Sequence, residues 1–226
     1  MKTFAIIPAA GKGKRSGQST PKQYIKFAGK ELIIYALEVF QKNKLIDEII
    51  VSAHPDYFPL LEKIKKKYKL TKITKIVQGG KERQDSVYNA LKAIRADKND
   101  LIAVHDAARP LLPQKVLTNA VLTASKKGNA LVCIKAKDTL IKGTNIVESY
   151  IDREEVFYVQ TPQIFRHNAL MRAMETAYAS DFYATDESKL IKNLGMKINV
   201  VEGTISNFKV TDREDMDFLK RYLRVR

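Results

Sequence analysis

Short apolar runs alternate with amphipathic stretches along most of the chain. Five runs are rich in Val, Ile, Leu and Ala and have the length of a buried strand: Thr3–Ile7, Glu48–Ser52, Ile73–Gln78, Leu101–His105 and Ala130–Lys135. Four stretches between them have helical spacing: Leu32–Gln41, Tyr57–Tyr68, Gln84–Arg95 and Gln114–Lys126. In the third helix, Val87, Leu91 and Ile94 recur at helical intervals and therefore share one face. The alternation predicts an α/β fold, a Rossmann-like doubly wound and mostly parallel sheet covered on both faces.

One segment breaks this alternation within what we predict to be a single domain over residues 1–226. Residues 138–155 contain two short β-favouring arms around a turn in which Gly143 and Asn145 can adopt positive φ, so we predict a protruding β-hairpin arm. A two-stranded hairpin is marginal by itself, and we expect it to pack against another surface, such as a second subunit. The elements predicted after the arm are strand Val156–Gln160, helices Asn168–Tyr178 and Glu187–Leu194, strand Lys197–Glu202 and helix Arg213–Tyr222.

Composition and charge narrow the possible functions. The 226 residues include 40 Lys and Arg against 25 Asp and Glu, a net charge of +15 that favours an anionic partner: nucleic acid, a membrane surface or a phosphorylated small molecule. Cys133, the single cysteine, excludes an internal disulfide and a cysteine-based zinc site. No apolar run approaches the roughly 20 residues of a membrane span, and residues 1–8 do not read as a signal peptide. We therefore expect a cytoplasmic protein.

The first predicted strand is followed by a loop that could bind phosphate. Residues 8–17 combine small residues, whose backbone N–H groups a phosphate can approach, with Lys12, Lys14 and Arg15. The loop is neither a dinucleotide fingerprint, since Ser16 stands where a glycine is required, nor a P-loop. A plain connecting turn is the alternative, and the three cations favour phosphate binding.

Further motifs follow this loop in a fixed order. They are Pro21–Tyr24, Gly79–Val87, Val104–Pro110, Asp138–Thr139, Asp152–Arg153, Thr161–Gln163, Thr185–Glu187 and Lys209–Thr211. In this order they resemble the 2-C-methyl-D-erythritol 4-phosphate cytidylyltransferase family, and the resemblance runs from about Ala5 to Thr211. Lys81 and Ser16 depart from the family pattern, so a contact with the base at Lys81 is expected through the backbone, and the packing under the first loop at Ser16 is left open.

The resemblance implies an activity and a set of site residues. Members of the family transfer CMP from CTP to the phosphate of methylerythritol phosphate and release pyrophosphate, with Mg²⁺ as cofactor. The residues implied to bind CTP are Ala9, Ala10, Gly11, Gly13, Gly80, Ser86, Asp106 and Ala107. The implied catalytic cations are Arg15, Lys22, Arg153 and Lys209. Arg109, Thr139 and Thr161 would contact the second substrate, and Asp106 would be the metal ligand.

The resemblance also implies a homodimer. The arms would clasp across it and carry Thr139 and Arg153 to the neighbouring phosphate site. The alternative is an arm that folds back on its own domain, with Arg153 acting in cis. The apolar residues Ile141, Ile146 and Val147 favour the shared arrangement, because arms this short do not bury them alone.

The implied reaction needs no general base. A phosphate monoester has a second pKa of about 6 and is mostly ionised near pH 7, so the nucleophile needs no general base. We accordingly expect His105 to pack at the end of a buried strand. Thr185 or Asp186 is expected to cap a helix, and Lys63–Lys67 is expected to be a solvated helix face.

Two other functions remain open at this point. A related enzyme could transfer CMP to ribitol 5-phosphate or another polyol phosphate, but Pro8–Gly11 and Ala108 favour methylerythritol phosphate. A basic nucleic-acid-binding module would explain the charge and would leave the ordered motifs unexplained. We expect CTP and methylerythritol phosphate as partners, together with a second copy of the chain, and neither nucleic acid nor membrane.

Overall fold

The computed structural model describes residues 1–11 and 20–224 and has an α/β architecture. Its strands are β1 (Thr3–Pro8), β2 (Lys26–Phe27), β3 (Lys30–Glu31), β4 (Glu48–Ala53), β5 (Ile73–Gln78), β6 (Leu101–Val104), β7 (Asn129–Lys135), β8 (Leu140–Gly143), β9 (Val147–Ile151), β10 (Phe157–Arg166) and β11 (Val200–Glu202). Its helices are α1 (Leu32–Lys42), α2 (Phe58–Lys67), α3 (Arg83–Ala93), α4 (Gln114–Lys127), α5 (His167–Ala179), α6 (Glu187–Asn193) and α7 (Arg213–Arg224). The predicted fold class is confirmed.

A seven-stranded sheet in the order β11-β7-β10-β6-β1-β4-β5 organises the molecule. β6 holds the central position, β1 beside it pairs in parallel with both β6 and β4, and β5 extends the parallel half to the edge. β10 is antiparallel to both β6 and β7, whereas β11 is again parallel to β7. The sheet is therefore mixed, with its parallel part around β1.

Helices cover both faces of this sheet. Apolar side chains of α1, α2 and α4 pack on one face, including Phe40, Leu61 and Leu117. On the other face α3, α5 and α6 contribute Val87, Met174 and others. A smaller cluster around Phe27, Val210 and Leu219 joins α7 to the short hairpin β2–β3.

Several predicted boundaries are wrong for local physical reasons. The strand predicted at Val156–Gln160 continues to Arg166, because Ile164 and Phe165 are fully buried between β6 and β7. Pro162 is tolerated there since the pairing register shifts between Val159 and Gln163. β5 is exposed along much of its length because it is the edge strand, so it is not covered on both faces as expected.

Two helix and strand ends also differ from prediction. The third helix stops at Ala93, and Ile94, which completes the predicted stripe, is buried just beyond the helix end. The last strand begins at Val200 rather than Lys197. Within the described residues, no helix is long and apolar enough to cross a membrane.

The predicted hairpin is present as β8 and β9, and we call residues 138–155 the arm. Its turn requires Gly143, whose φ is +155° and where an added Cβ would lie 2.1 Å from the Ile146 carbonyl oxygen. Asn145 does not adopt the positive φ that was expected of it. Ile146 and Tyr150 are 79% and 74% exposed, and Ile141, Val147 and Ile151 are exposed as well. The arm thus presents an apolar surface on a two-stranded ribbon.

Candidate active site

Several of the predicted site residues, among them Ala9, Gly80 and Asp106, lie just beyond the ends of parallel strands. Ala9 follows β1, Gly79 follows β5 and His105 follows β6, and carboxyl ends of parallel strands form the usual ligand crevice of such sheets. Gly13 and Arg15 belong to residues 12–19, which lie outside the described part of the chain.

Residues 9–11 are tied firmly to the body of the protein. The Ala9 N–H donates to the Ser52 carbonyl over 2.7 Å. The Ala9 carbonyl accepts from the Gln23 side-chain amide (2.7 Å) and from the Tyr24 hydroxyl (3.0 Å), and the same Gln23 amide donates to the Gly11 carbonyl (2.8 Å). Lys22 begins the short 3₁₀ turn Lys22–Tyr24 that carries these donors, so the structure places it beside the start of the first loop.

A second loop approaches the first through two glycines. A Cβ at Gly79 would lie 2.3 Å from the Ala10 Cβ, so only glycine permits this contact. The Gly80 N–H donates to the Ser86 Oγ (3.0 Å), and that hydroxyl donates to the Glu82 carbonyl (3.1 Å). The structure therefore brings Ala10, Gly80 and Ser86 together, with the buried Ser86 hydroxyl occupied in shaping the loop.

Asp106 lies at the centre of a charged cluster after β6. Its Oδ1 is 3.0 Å from Arg83 Nε, and its Oδ2 is 2.8 Å from Lys209 Nζ and 3.8 Å from Arg109 Nε. Burial by itself would raise the pKa of Asp106, but the cations of Arg83, Lys209 and Arg109 outweigh it and hold this pKa far below its usual range. Asp106 is therefore a carboxylate at any physiological pH.

A buried carboxylate anchors the far side of this cluster. Glu187 begins α6, is 1% exposed, and accepts from Arg83 Nη1 over 2.6 Å. Burial opposes the charge on Arg83, yet Glu187 and Asp106 overcome it and raise its pKa. Arg83, Arg109 and Lys209 oppose the two carboxylates, so the five groups carry one net positive charge, which favours anionic ligands.

Backbone and hydroxyl groups fix the loop that carries Asp106. The Asp106 N–H donates to Thr161 Oγ1 (3.2 Å), which lies 2.9 Å from His105 Nδ1, and His105 Nε2 is 3.1 Å from the Arg109 carbonyl. One neutral tautomer satisfies every member: Thr161 donates to Nδ1, and the Nε2–H donates to Arg109. Burial lowers the pKa of His105 to about 4, so the expected structural role of His105 is confirmed.

Arg109 and Ala107 line the same loop. The guanidinium of Arg109 donates to the carbonyls of Asn207 (2.7 Å) and Val159 (3.3 Å) and has its pKa lowered by burial. Ala107 is buried beside it. Thr161, which is predicted to contact the second substrate, has its hydroxyl engaged by His105 and Asp106 in this chain.

Thr139 and Arg153 lie on the exposed arm and are not brought into the cluster. The Arg153 guanidinium donates to the carbonyl of Lys137, the residue just before the arm, over 2.9 Å. Across the ranges 1–11 and 20–224, no hydrogen bond or ion pair joins either residue to Asp106, Arg109 or Lys209. Nor do these ranges contain three or more His, Cys, Asp or Glu side chains grouped as a metal site.

Sequence reasoning missed Arg83, Glu187 and Gln23 as site-forming residues. One signal was available for Arg83: a cation in the first turn of a helix opposes the helix dipole and needs a compensating partner. Asp186 caps α6 by accepting from the Lys189 N–H (3.1 Å), as predicted. Lys63, Lys66 and Lys67 are exposed, as expected of a solvated face.

Known proteins resemble this chain over nearly its whole length. A relative from Syntrophus aciditrophicus, named 2-C-methyl-D-erythritol 4-phosphate cytidylyltransferase, is 36% identical over 99% of this chain and 96% of its own. One of the same name from Clostridium botulinum is 39% identical over 95% and 94% of the two chains. The 4-diphosphocytidyl-2C-methyl-D-erythritol synthase structure from Anaerococcus prevotii superposes with a TM-score of 0.87 at 30% identity, over 99% of this chain and 96% of that one.

A second solved structure, the 2-C-methyl-D-erythritol 4-phosphate cytidylyltransferase of Thermus thermophilus, gives a TM-score of 0.82 at 27% identity and covers 99% and 100% of the two chains. The sequence model of the family matches residues 3–225. With the ordered motifs and the Asp106 cluster, these matches establish that the chain belongs to the 2-C-methyl-D-erythritol 4-phosphate cytidylyltransferase family.

Proposed function

We propose that this protein transfers CMP from CTP to 2-C-methyl-D-erythritol 4-phosphate, releases pyrophosphate and forms 4-diphosphocytidyl-2-C-methyl-D-erythritol. The observation that carries the proposal is the cation-rich cluster around Asp106, at the strand edge that also holds residues 9–11 and Gly80. Family membership supplies the identity of both substrates.

The chemistry requires charge compensation more than proton transfer. The attacking phosphate is already ionised near pH 7, and it must approach a triphosphate that carries several negative charges. Positioning and electrostatic stabilisation then supply most of the rate enhancement. Lys22 and Arg15 are proposed to stabilise the charge of the transition state. Lys209 and Arg109, held at Asp106, are proposed to bind the attacking phosphate.

Mg²⁺ is the proposed cofactor. When bound with CTP, it would neutralise phosphate charge and fix the phosphate conformation. Asp106 is an ionised oxygen donor, so its chemistry suits Mg²⁺, but both of its oxygens already face cations. The residues therefore fit a metal that takes most of its oxygens from phosphates and water, with Asp106 as its one protein carboxylate.

The proposed site is shared between two subunits. Thr139 and Arg153 are exposed on the arm, away from the Asp106 cluster of their own chain, and the arm presents unburied apolar residues. A symmetric pair that exchanges arms would cover both apolar surfaces with one kind of contact and would deliver Arg153 to the partner. We further propose that the dimer acts in the cytoplasm on these small molecules, with neither nucleic acid nor membrane as a partner.

A substrate panel tests the proposed function. Pyrophosphate release is measured for each of four nucleoside triphosphates with methylerythritol 4-phosphate, ribitol 5-phosphate and a hexose phosphate, with Mg²⁺ present. We expect CTP with methylerythritol 4-phosphate to give the highest kcat/KM, and Lys22→Ala serves as the inactive control. Equal or faster turnover of ribitol 5-phosphate would refute the substrate assignment and leave cytidylyl transfer standing.

A further inference from the structure

Gln23 occupies an unusual place beside the first loop. It follows Lys22 directly, yet it is 5% exposed, and its side chain turns inward toward residues 9–11. A buried amide side chain normally has its polar groups matched by partners. The side-chain amide of Gln23 donates to two main-chain carbonyls at the start of the loop.

The geometry uses the full donor capacity of this amide. A glutamine NH₂ has two hydrogens, and those of Gln23 are directed to the carbonyls of Ala9 (2.7 Å) and Gly11 (2.8 Å). The Tyr24 hydroxyl adds a third donor, also to Ala9 (3.0 Å). Burial raises the pKa of Tyr24 well above its ordinary value, so this hydroxyl stays protonated and remains a donor.

The donors themselves are rigidly held. Pro21 precedes the turn that carries Gln23 and Tyr24, and the Tyr24 ring stacks on Tyr57 with centroids 4.1 Å apart and planes at 9°. On the other side, the Ala9 N–H is fixed to the Ser52 carbonyl of β4. Ala9 is therefore held at both its N–H and its carbonyl group.

Fixing these carbonyls also sets the direction of an N–H group. The peptide between Ala9 and Ala10 is planar and trans, so its N–H, which belongs to Ala10, points away from Gln23. No group in residues 1–11 and 20–224 accepts from this N–H. A backbone donor that is held in place at a strand end, with no acceptor among the described residues, can bind an anionic or polar ligand.

We propose that Gln23 is a positioning residue for CTP: its amide holds the carbonyls of Ala9 and Gly11 inward, so that the N–H of Ala10 is presented to the nucleotide and Lys22 is fixed beside it. The inference rests on the proposed function, because the nucleotide is taken to bind at this loop. It assigns Gln23 a role in nucleotide affinity and no contact with the second substrate.

Two substitutions at position 23 test this role. Gln23→Met keeps the length of the side chain and removes both donors, and Gln23→Glu sets a carboxylate against two carbonyls. Loss of two such hydrogen bonds should weaken CTP binding about tenfold in Gln23→Met and at least as much in Gln23→Glu. CTP affinity is measured by titration calorimetry, and KM for each substrate and kcat by pyrophosphate release.

Comparing the KM values for the two substrates distinguishes a positioning role from general damage to the fold. We expect the KM for CTP to rise in parallel with its Kd, and the KM for methylerythritol 4-phosphate to change less than threefold. The matched control is Gln41→Glu near the C-terminal end of α1, where the amide donates to Thr71 Oγ1, and its CTP affinity should equal that of the wild type.

Three results would overturn the inference. The first is CTP binding by Gln23→Met within twofold of the wild type, and the second is an equal loss of affinity for both substrates. If neither position-23 variant folds, Tyr24→Phe is tested in their place. It removes one of the three donors and should weaken CTP binding about threefold. An unchanged CTP affinity in Tyr24→Phe is the third result that would overturn the inference. A wild-type protein that binds none of four triphosphates would instead refute the proposed function itself.

Discussion

Individual side chains in this protein act mainly by holding charge in fixed positions. Asp106 is ionised because Arg83, Lys209 and Arg109 surround it, and Arg83 in turn is held by Glu187. Breaking a buried pair leaves an uncompensated charge, whereas exposed pairs contribute little. The two kinds of ion pair can be compared within this chain.

Lys209 should matter for catalysis and Lys220 should not. Both amines lie 2.8 Å from a carboxylate, Asp106 and Asp217 respectively, but only Lys209 faces the proposed phosphate site. We expect Lys209→Met to lower kcat/KM on the order of 100-fold, as loss of one electrostatic contact typically does. Lys220→Met should retain full activity, and steady-state pyrophosphate release measures both. A loss below about fivefold for Lys209→Met would remove Lys209 from the site.

His105 should make folding stability depend on pH. Its pKa is lowered to about 4 by burial, with Asp106 and Arg109 as the charged groups beside it. Because this pKa lies below the unfolded value of about 6.5, the unfolded chain binds the proton first, and stability falls as the pH drops from about 6.5 to about 4. The total effect is on the order of 3 kcal/mol.

Denaturant unfolding of His105→Gln at several pH values measures this contribution. The variant should show a weaker fall in unfolding free energy between pH 6.5 and pH 4 than the wild type. His54→Gln, at a half-exposed histidine, should keep the wild-type slope. An unchanged slope in His105→Gln would contradict the neutral, buried assignment.

Elements were predictable from sequence where the signal was local. The apolar runs at β1, β4, β5, β6 and β7 and the spacing in α1–α4 depend on neighbouring residues, and these elements appear within a few residues of expectation. The full length of β10 could not be predicted because Gln160, Pro162 and Gln163 interrupt its apolar pattern. The arm was recognisable from its turn residues, with Gly143 as the necessary one.

The arm should govern self-association. Ile146 is 79% exposed in the single chain, and we expect it to be covered in the proposed dimer. Ile146→Asp should weaken self-association at least tenfold, because it would bury an unpaired charge in an apolar contact. Leu122→Asp, at an exposed leucine of α4, is the matched control and should not alter association. Sedimentation equilibrium measures both, and a wild-type monomer would contradict the arrangement.

At the scale of the whole molecule, contacts between residues far apart in the sequence could not be predicted. Glu187 and Arg83 are 104 positions apart, and neither residue by itself signals the other. The Ala10–Gly79 approach likewise depends on how two loops meet. Resemblance to a family predicted Asp106, Arg109 and Lys209 as site residues, but it did not predict the residues that hold them. The single domain over residues 1–226 stays a prediction.

Complementation tests whether the site is shared between subunits. Lys22→Ala and Arg153→Ala should each be nearly inactive, and they are co-expressed in equal amounts. If Arg153 acts in trans, each mixed dimer has one doubly defective site and one intact site. Random pairing makes about half of the dimers mixed, so about a quarter of all sites should be active. Activity no higher than the mean of the two parents, with mixed dimers verified, would show that Arg153 acts in cis.

The central claim is that this protein forms a bond between the CMP phosphorus and the phosphate of a methylerythritol ester. The most direct test is phosphorus NMR of a reaction that contains the full chain, CTP, Mg²⁺ and methylerythritol 4-phosphate. We predict that the monoester signal disappears and that two coupled diphosphate signals of the product appear. Pyrophosphate should form in the same molar amount as this product. Release of pyrophosphate with CMP and an unchanged monoester signal, or no reaction at all, would contradict the account.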